Sequence, residues 1–86
     1  MQGHNVLLEK RASKEIGKLS LDDRNRVMEA LFTLRDKGFS RELDIKKLRG
    51  HKNHYRVRVG KYRILFELRP ERTIVVYAVL PRKAAY

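Results

Sequence analysis

The chain has 86 residues, enough for one domain with a modest core but not for two. It contains no Cys, which excludes disulfides and thiolate metal sites and is typical of a reducing compartment, so we expect a cytoplasmic protein held together by packing. The formal net charge of +11 is far above what solubility requires and indicates an anionic partner.

Membrane insertion and secretion are not expected. The N-terminus lacks an apolar stretch followed by a small-residue cleavage site, which argues against a secretory signal. The longest apolar run, Ile74 to Leu80, is too short to span a bilayer. We therefore expect residues 1–86 to form a single soluble domain.

Positive charge is concentrated in the second half of the chain. Residues 1–43 carry 9 Lys/Arg and 7 Asp/Glu, a net charge of +2, whereas residues 44–86 carry 12 and 3, a net charge of +9. A basic surface alone does not distinguish RNA, DNA and anionic lipid as partners. The class of partner therefore has to be inferred from where the charges lie.

The first half predicts a short strand and two helices. Val6 to Leu8 form an apolar run typical of a buried strand, with a helix as the alternative. From Lys10 to Leu19, apolar residues recur at helical spacing, which predicts the first helix. Ser20 with Asp23 resembles a capping box and predicts the start of the second helix, and Lys37-Gly38 predicts its end.

The second half predicts three strands. After a connecting stretch, residues His54 to Val59 alternate between apolar and polar side chains, as does the segment Tyr62 to Arg69, and Gly60-Lys61 between them is typical of a tight turn. Pro70-Glu71 predicts a second turn into Thr73 to Leu80, whose continuous apolar character indicates a central strand. The order is βααβββ, an α+β fold with two helices on a mostly antiparallel sheet.

Three arginines are predicted to share one face of this sheet. Arg56 and Arg58 lie two residues apart on one strand, about 7 Å, which is close to the spacing of successive phosphates. Arg63 on the next strand can lie on the same face. We see no acid among them, and because uncompensated like charges on neighbouring strands are destabilising, the face is interpreted as reserved for an external anion. The alternative is that these arginines only solvate the outer face.

The histidines and tyrosines are given mainly structural interpretations. His51 and His54 lie in a polar region and are either solvated or catalytic, and a metal site formed with His4 is not expected because no acidic or thiolate ligand accompanies them. Three tyrosines are expected to pack in the core with their hydroxyl groups at its edge: Tyr55, Tyr62 and Tyr77.

The ordered set of motifs resembles the RelE/ParE toxin superfamily, particularly the RelE-like mRNA endonucleases of archaeal type. The resemblance covers nearly the whole chain and rests on the βααβββ order and on four segments. These are Lys47-Leu48-Arg49-Gly50, Tyr55-Arg56-Val57-Arg58-Val59, Gly60-Lys61-Tyr62-Arg63-Ile64, and Pro81-Arg82 followed four residues later by Tyr86.

The resemblance implies a set of catalytic and RNA-binding residues. The family's two basic strand residues correspond to Arg56 and Arg58, the arginine after the strand-opening tyrosine to Arg63, and the C-terminal pair to Arg82 and Tyr86. Further basic residues of the second half are expected to bind RNA: Lys46, Lys47, Arg49, His54, Lys61 and Lys83.

The implied reaction is cleavage of mRNA in the ribosomal A site without metal or cofactor, in which the 2′-OH of the RNA attacks the adjacent phosphate. Guanidinium groups suit this reaction because they hold and neutralise a phosphate. They cannot act as a general base, and this chain has arginines where the best-known bacterial enzyme has lysines, and Pro81 where many relatives have histidine. Four residues are candidates for the base, of which Tyr86 is favoured: Lys61, Lys83, His54 and Tyr86.

The resemblance also implies partners and leaves two other functions open. A RelB-like antitoxin is expected to neutralise the protein in a hetero-oligomer, and mRNA and the ribosome are the expected targets. The first alternative is a ParE-like or degenerate toxin with another target, such as DNA gyrase. The second is a non-catalytic domain that binds RNA or DNA through the same sheet.

Overall fold

The alternating segments of the chain form one five-stranded sheet in the computed structural model, which describes residues 3–83. The elements are β1 (Asn5–Leu8), α1 (Lys10–Gly17), α2 (Leu21–Lys37), β2 (Asp44–Lys47), β3 (His54–Val59), β4 (Tyr62–Arg69) and β5 (Thr73–Pro81). The strand order is β1-β5-β4-β3-β2, with β1 parallel to β5 and every other pair antiparallel. The expected α+β class, the two helices and the central position of β5 are confirmed.

The structure adds one strand that the sequence pattern did not reveal. β2 lies within the stretch that we expected to be a connection, and it pairs with β3 so that Ile45 faces Val57. Its four residues include only one apolar side chain, Ile45, which is too little for a period of two to be recognised. The order is therefore βααββββ, and β2 is an edge strand.

Local signals at the ends of α2 behave as predicted. The Ser20 hydroxyl accepts a hydrogen bond from the Asp23 backbone N–H at 3.3 Å, which satisfies one of the free N–H groups of the first turn. Gly38 ends the helix with φ +69°, and its N–H is donated to the Leu34 carbonyl. A side chain at Gly38 would also meet the His4 ring, since an added Cβ would lie 2.8 Å from it.

The helices cover only one face of the sheet. The core lies between them and the inward side chains of β3, β4 and β5: Ala12, Ile16, Val27, Ala30, Leu31, Leu34, Val57, Ile64, Phe66, Ile74, Val76 and Val79. Tyr55 and Tyr62 pack against this core, as expected. The other face carries the residues that alternate with these, among them Arg56, Arg58 and Arg63.

A β-bulge in β5 changes which residues face the core. Phe66 pairs with Val76 but its neighbour Leu65 pairs with Ala78, so Tyr77 is the extra residue. The bulge lets Val76 and Val79 both face the helices and directs Tyr77 to the opposite face. The prediction that Tyr77 packs in the core is therefore wrong.

The α1 helix covers the edge of β5 beyond the end of β1. Pairing with β1 stops at Val76, and further along the edge the Val79 N–H donates to the Glu15 carboxylate at 2.7 Å. Glu15 also forms an ion pair with Arg11, one turn earlier, at 3.2 Å. A side chain thus satisfies a strand-edge amide for which β1 provides no acceptor. No helix within residues 3–83 is long and apolar enough to cross a membrane.

We expect Glu15→Ala to destabilise the protein by about 1–2 kcal/mol, because it leaves the partly buried Val79 N–H without its acceptor. Urea unfolding measures the change. Glu15→Gln keeps an acceptor oxygen and should retain most of the stability. Arg11→Ala removes only an exposed ion pair and should cost less than about 0.5 kcal/mol. Equal losses in Glu15→Ala and Arg11→Ala would contradict this role for Glu15.

Candidate nucleic-acid interface

The tip of the β3–β4 hairpin lies beside the first turns of α2. Gly60 takes φ +53°, which a side chain would disfavour and which the two-residue turn requires. Tyr62 lies two residues after Gly60. Burial raises the pKa of its phenol, and the charge of the Asp23 carboxylate and hydrogen bonding to it raise this pKa further. Tyr62 therefore lies close to Asp23 in the first turn of α2.

A cationic cleft opens beside this tip. It has a volume of about 530 Å³ and is lined by Lys61, Arg63, Pro81, Arg82 and Lys83. The backbone holds its two walls together, because the Arg82 N–H donates to the Lys61 carbonyl at 2.7 Å. The Arg82 Nη1 lies 3.5 Å from the Gly60 carbonyl, at the limit of a hydrogen bond. Among the described residues 3–83, the four ionisable ones that line the cleft are all basic, so its chemistry favours an anion. We call it the hairpin-tip cleft.

Arg58 extends this positive surface onto the face of the sheet that the helices leave open. It pairs directly with Arg63 across β3 and β4, on the row of residues next to the hairpin tip. Its side chain is 39% exposed. Two like charges at such a position repel each other. Asp44, which pairs with Arg58 on the other side, reduces the repulsion with a carboxylate oxygen 3.8 Å from Arg58 Nη1.

Arg56 does not belong to the exposed surface. It is only 8% exposed, and its Nη1 donates to the Asp44 carbonyl at 3.0 Å and to the Asp44 carboxylate at 3.2 Å. The prediction that the arginine face contains no acid is wrong, because Asp44 contacts both strand arginines. Asp44 was overlooked because the strand that carries it was not recognised. Arg56 is therefore a structural residue in this conformation, whereas Arg58 remains accessible.

The remaining basic residues are divided between the two faces and the far end of the sheet. Lys46 is exposed next to Arg56 on the open face. Lys47 points to the helix side, where it lines a cleft with Phe39 and Tyr55. Arg49 lies in the loop between β2 and β3. These three lysine and arginine side chains are thus not part of the hairpin-tip cleft.

His54 lies at the end of β3 opposite to the hairpin tip. It lies four positions before Arg58, which corresponds to about 13 Å along the strand. Its Nδ1 is 3.1 Å from the Tyr77 hydroxyl and its Nε2 is 3.8 Å from the Glu67 carboxylate. His54 therefore cannot reach a phosphate held in the hairpin-tip cleft.

Of the four candidates for the general base, two line the cleft. Lys61 and Lys83 are both exposed there, beside Arg63 and Arg82. Tyr86 lies outside the described residues, so its assignment stays a prediction. Within residues 3–83, no group of three or more His, Asp and Glu side chains is arranged to hold a metal ion.

One further basic residue near the site comes from α2. An added Cβ on Gly60 would lie 3.6 Å from Arg26 Nη1, so this guanidinium lies against the hairpin tip. It also lines a cavity of about 380 Å³ together with Arg58. Sequence spacing gave no sign of this because contact between α2 and the β3–β4 turn depends on the tertiary fold.

Comparison with known proteins identifies the relatives of this chain. Residues 6–86 match the family model of the ParE toxin of the type II toxin–antitoxin system parDE. The chain is 33% identical over 84 residues to the putative toxin RelE1 of Methanocaldococcus jannaschii, covering 95% of this chain and 93% of that protein. It is 51% identical over 45 residues to Toxin RelE3 of the same organism, a match that spans only half of that protein.

Solved structures show the same fold. The archaeal RelE–RelB complex from Pyrococcus horikoshii OT3 matches with a TM-score of 0.82 and 25% identity, over 99% of this chain and 100% of that chain. The RelB–RelE antitoxin–toxin complex from Methanococcus jannaschii matches with a TM-score of 0.77 and 33% identity, over 90% and 91% of the two chains. The isolated RelE toxin of E. coli has a TM-score of 0.76 at 21% identity, a likeness of fold.

The two strand arginines should respond differently to mutation. We expect Asp44→Ala to destabilise the protein by about 1–3 kcal/mol, because the buried Arg56 guanidinium loses its carboxylate. Arg58→Ala should change the free energy of unfolding by less than about 0.5 kcal/mol, since its side chain is exposed. Urea unfolding measures both.

Glu29→Ala, which removes an exposed carboxylate from α2, is the control for the change in charge. The assignment of Arg56 as structural fails if Asp44→Ala is as stable as Glu29→Ala.

Proposed function

The chain belongs to the RelE/ParE superfamily of type II toxins, and we propose that it is a ribosome-dependent endoribonuclease that cleaves mRNA in the A site. Membership of the family rests on the model match over residues 6–86 and on the full-length likeness to RelE1. The observation that carries the proposal of RNA cleavage is the hairpin-tip cleft, whose ionisable lining residues within the described part of the chain are all basic.

The cleft is suited to hold one backbone phosphate. Arg63 and Arg82 approach it from β4 and from the end of β5, and Arg58 lies one strand further along the same face. A guanidinium group can donate two parallel hydrogen bonds to phosphate oxygens and keeps its charge at every physiological pH. Three of them around one phosphate would stabilise the additional negative charge of the transition state.

The reaction itself needs no group from outside the RNA and the protein. The ribose O2′ attacks the adjacent phosphorus as its proton leaves, the bond between phosphorus and O5′ breaks, and O5′ takes up a proton. The products are a 2′,3′-cyclic phosphate and a 5′-hydroxyl end. The protein contributes by holding O2′, phosphorus and O5′ in line, and by neutralising the phosphate.

Proton transfer is the step that arginines cannot perform, because they do not deprotonate in proteins. Lys61 and Lys83 line the cleft, so an ammonium group can donate the proton to the leaving O5′. We propose Tyr86 as the acceptor of the O2′ proton. The role of Arg56 in this scheme is to hold β2 and β3 together through Asp44.

The proposed partner that controls this activity is a RelB-type antitoxin. The chain is a toxin of the RelBE type, and two of the structures that it resembles are complexes of RelE with RelB. We propose that a cognate antitoxin forms a hetero-oligomer with this chain and prevents access of RNA to the hairpin-tip cleft. The strongly basic surface gives such a partner a clear electrostatic target.

Cleavage on translating ribosomes tests the proposal. We expect wild-type protein to produce discrete breaks in the A-site codon, mapped by primer extension, and Arg63→Ala and Arg82→Ala each to lower the single-turnover rate by about 100-fold or more. Arg35→Ala is the matched control, because it removes an exposed arginine from α2 on the opposite face of the sheet. Intact mRNA with folded wild-type protein would contradict the proposal, as would equal losses in all three variants.

Because the family model that matches is that of the ParE toxin, a ParE-like function is the alternative, with DNA gyrase as its proposed target. A supercoiling assay with purified gyrase separates the two. Inhibition of supercoiling together with intact ribosomal mRNA would assign the chain to that function, whereas cleaved mRNA with normal supercoiling is the result that our proposal predicts.

A further inference from the structure

Two histidine rings are stacked at the end of the sheet that lies away from the hairpin tip. The rings of His51 and His54 have their centroids 5.3 Å apart and their planes inclined by 29°. His54 is the first residue of β3, and His51 precedes it in the loop after β2. His51 is exposed whereas His54 is partly buried, so His51 is the outer ring of the pair.

The inner ring of this pair is held in a fixed orientation. Its Nδ1 contacts the Tyr77 hydroxyl at 3.1 Å, and the Tyr77 ring itself lies 5.4 Å from the imidazole. On the other side, Nε2 lies 3.8 Å from Glu67, whose charge is balanced by Arg69 at 2.9 Å. The β5 bulge places Tyr77 here, so the fold provides a rigid base for the exposed His51 ring.

Basic residues surround the outer ring. The loop from Lys47 to Lys52 forms an open depression of about 460 Å³, lined by Lys47, Leu48, Arg49, Gly50, His51 and Lys52. Gly50 takes φ +75°, which allows the loop to turn back beside the histidines. The loop therefore combines an aromatic surface with the positive charges of Arg49 and Lys52, a combination typical of sites that bind single-stranded RNA.

This loop and the hairpin-tip cleft lie along the same face of the sheet. His54 and Glu67 form one row, Arg58 and Arg63 form another, and the row between them contains Arg56 and the buried Leu65. The two outer rows are about 13 Å apart. Because Arg56 is withdrawn onto Asp44, an RNA strand that crosses the middle row meets no exposed strand arginine there.

From this arrangement we propose that His51 and the loop from Lys47 to Lys52 form a second nucleotide site, in which a nucleobase stacks on the exposed face of the His51 ring. The base belongs to the same single strand whose phosphate occupies the hairpin-tip cleft, but to a different nucleotide. This inference rests on the proposed function, since it assumes that RNA is the ligand of that cleft. The stacking site tolerates any base, because every base presents a π face.

Binding of a non-cleavable strand tests the second site. The probe is a 2′-O-methyl RNA hexamer, which lacks the attacking hydroxyl, with 2-aminopurine at each position in turn. We expect the fluorescence of one or two positions to be quenched on binding. His51→Ala should abolish that quenching and weaken binding about tenfold, whereas His51→Phe, which keeps an aromatic ring, should retain both.

An abasic hexamer of the same length separates stacking from charge. His51→Ala should bind it as tightly as wild type does, because there is no base to stack. Arg49→Ala should weaken binding of the abasic and the base-containing strands by the same factor. Unchanged binding of the base-containing hexamer by His51→Ala overturns the inference, and so does an equal loss on the abasic strand.

These measurements are independent of cleavage. If ribosomal mRNA stays intact but His51-dependent quenching is found, the nuclease proposal fails and the second site stands as part of a binding surface. If mRNA is cleaved but His51→Ala changes neither quenching nor affinity, only the second site is rejected.

Discussion

The register between β3 and β4 is the constraint on which the rest of the structure depends. It places Arg58 beside Arg63, Val57 beside Ile64, and His54 beside Glu67. A shift of one residue would move every side chain of β3 to the other face and put the arginines into the core. Burial of Val57, Ile64 and Phe66 therefore fixes the register, and the hydrophobic core determines where the cationic surface lies.

Asp44 gives the two arginines of β3 different surroundings. It binds Arg56 closely and contacts Arg58 only at 3.8 Å, so one arginine is used for folding and the other is left for a ligand. Without this carboxylate, two arginines two residues apart would both repel Arg63. The electrostatic cost of assembling the positive surface is thus reduced by an internal counter-ion, Asp44.

Much of the fold could be read from local sequence signals, because they act over a few residues. Ser20 and Gly38 delimit α2, Gly60 with Lys61 defines a tight turn, and period-2 alternation identifies β3 and β4. The strand β2 was not predicted because its four residues contain a single apolar side chain. Tyr77 was placed on the wrong face because a bulge depends on how two strands fit together, which a single strand's pattern does not record.

The candidate site was predictable in its residue types but less so in its geometry. Arg58, Arg63, Lys61, Arg82 and Lys83 do come together around the hairpin tip. Arg56 was assigned to the surface since alternation gives the face of a side chain but not its depth or its partners. His54 was grouped with them by charge, although its distance along β3 separates it from the cleft. Arg26 and Asp44 were missed because tertiary contacts alone bring them to the site.

Binding of RNA at the hairpin tip can be observed directly by nuclear magnetic resonance. Titration of the ¹⁵N-labelled protein with a non-cleavable 2′-O-methyl RNA reports which backbone amides change their environment. We expect the largest shifts at Gly60, Lys61, Arg63 and Arg82, and small shifts on α1. Shifts concentrated on the helices, with the amides of the hairpin tip unchanged, would contradict it.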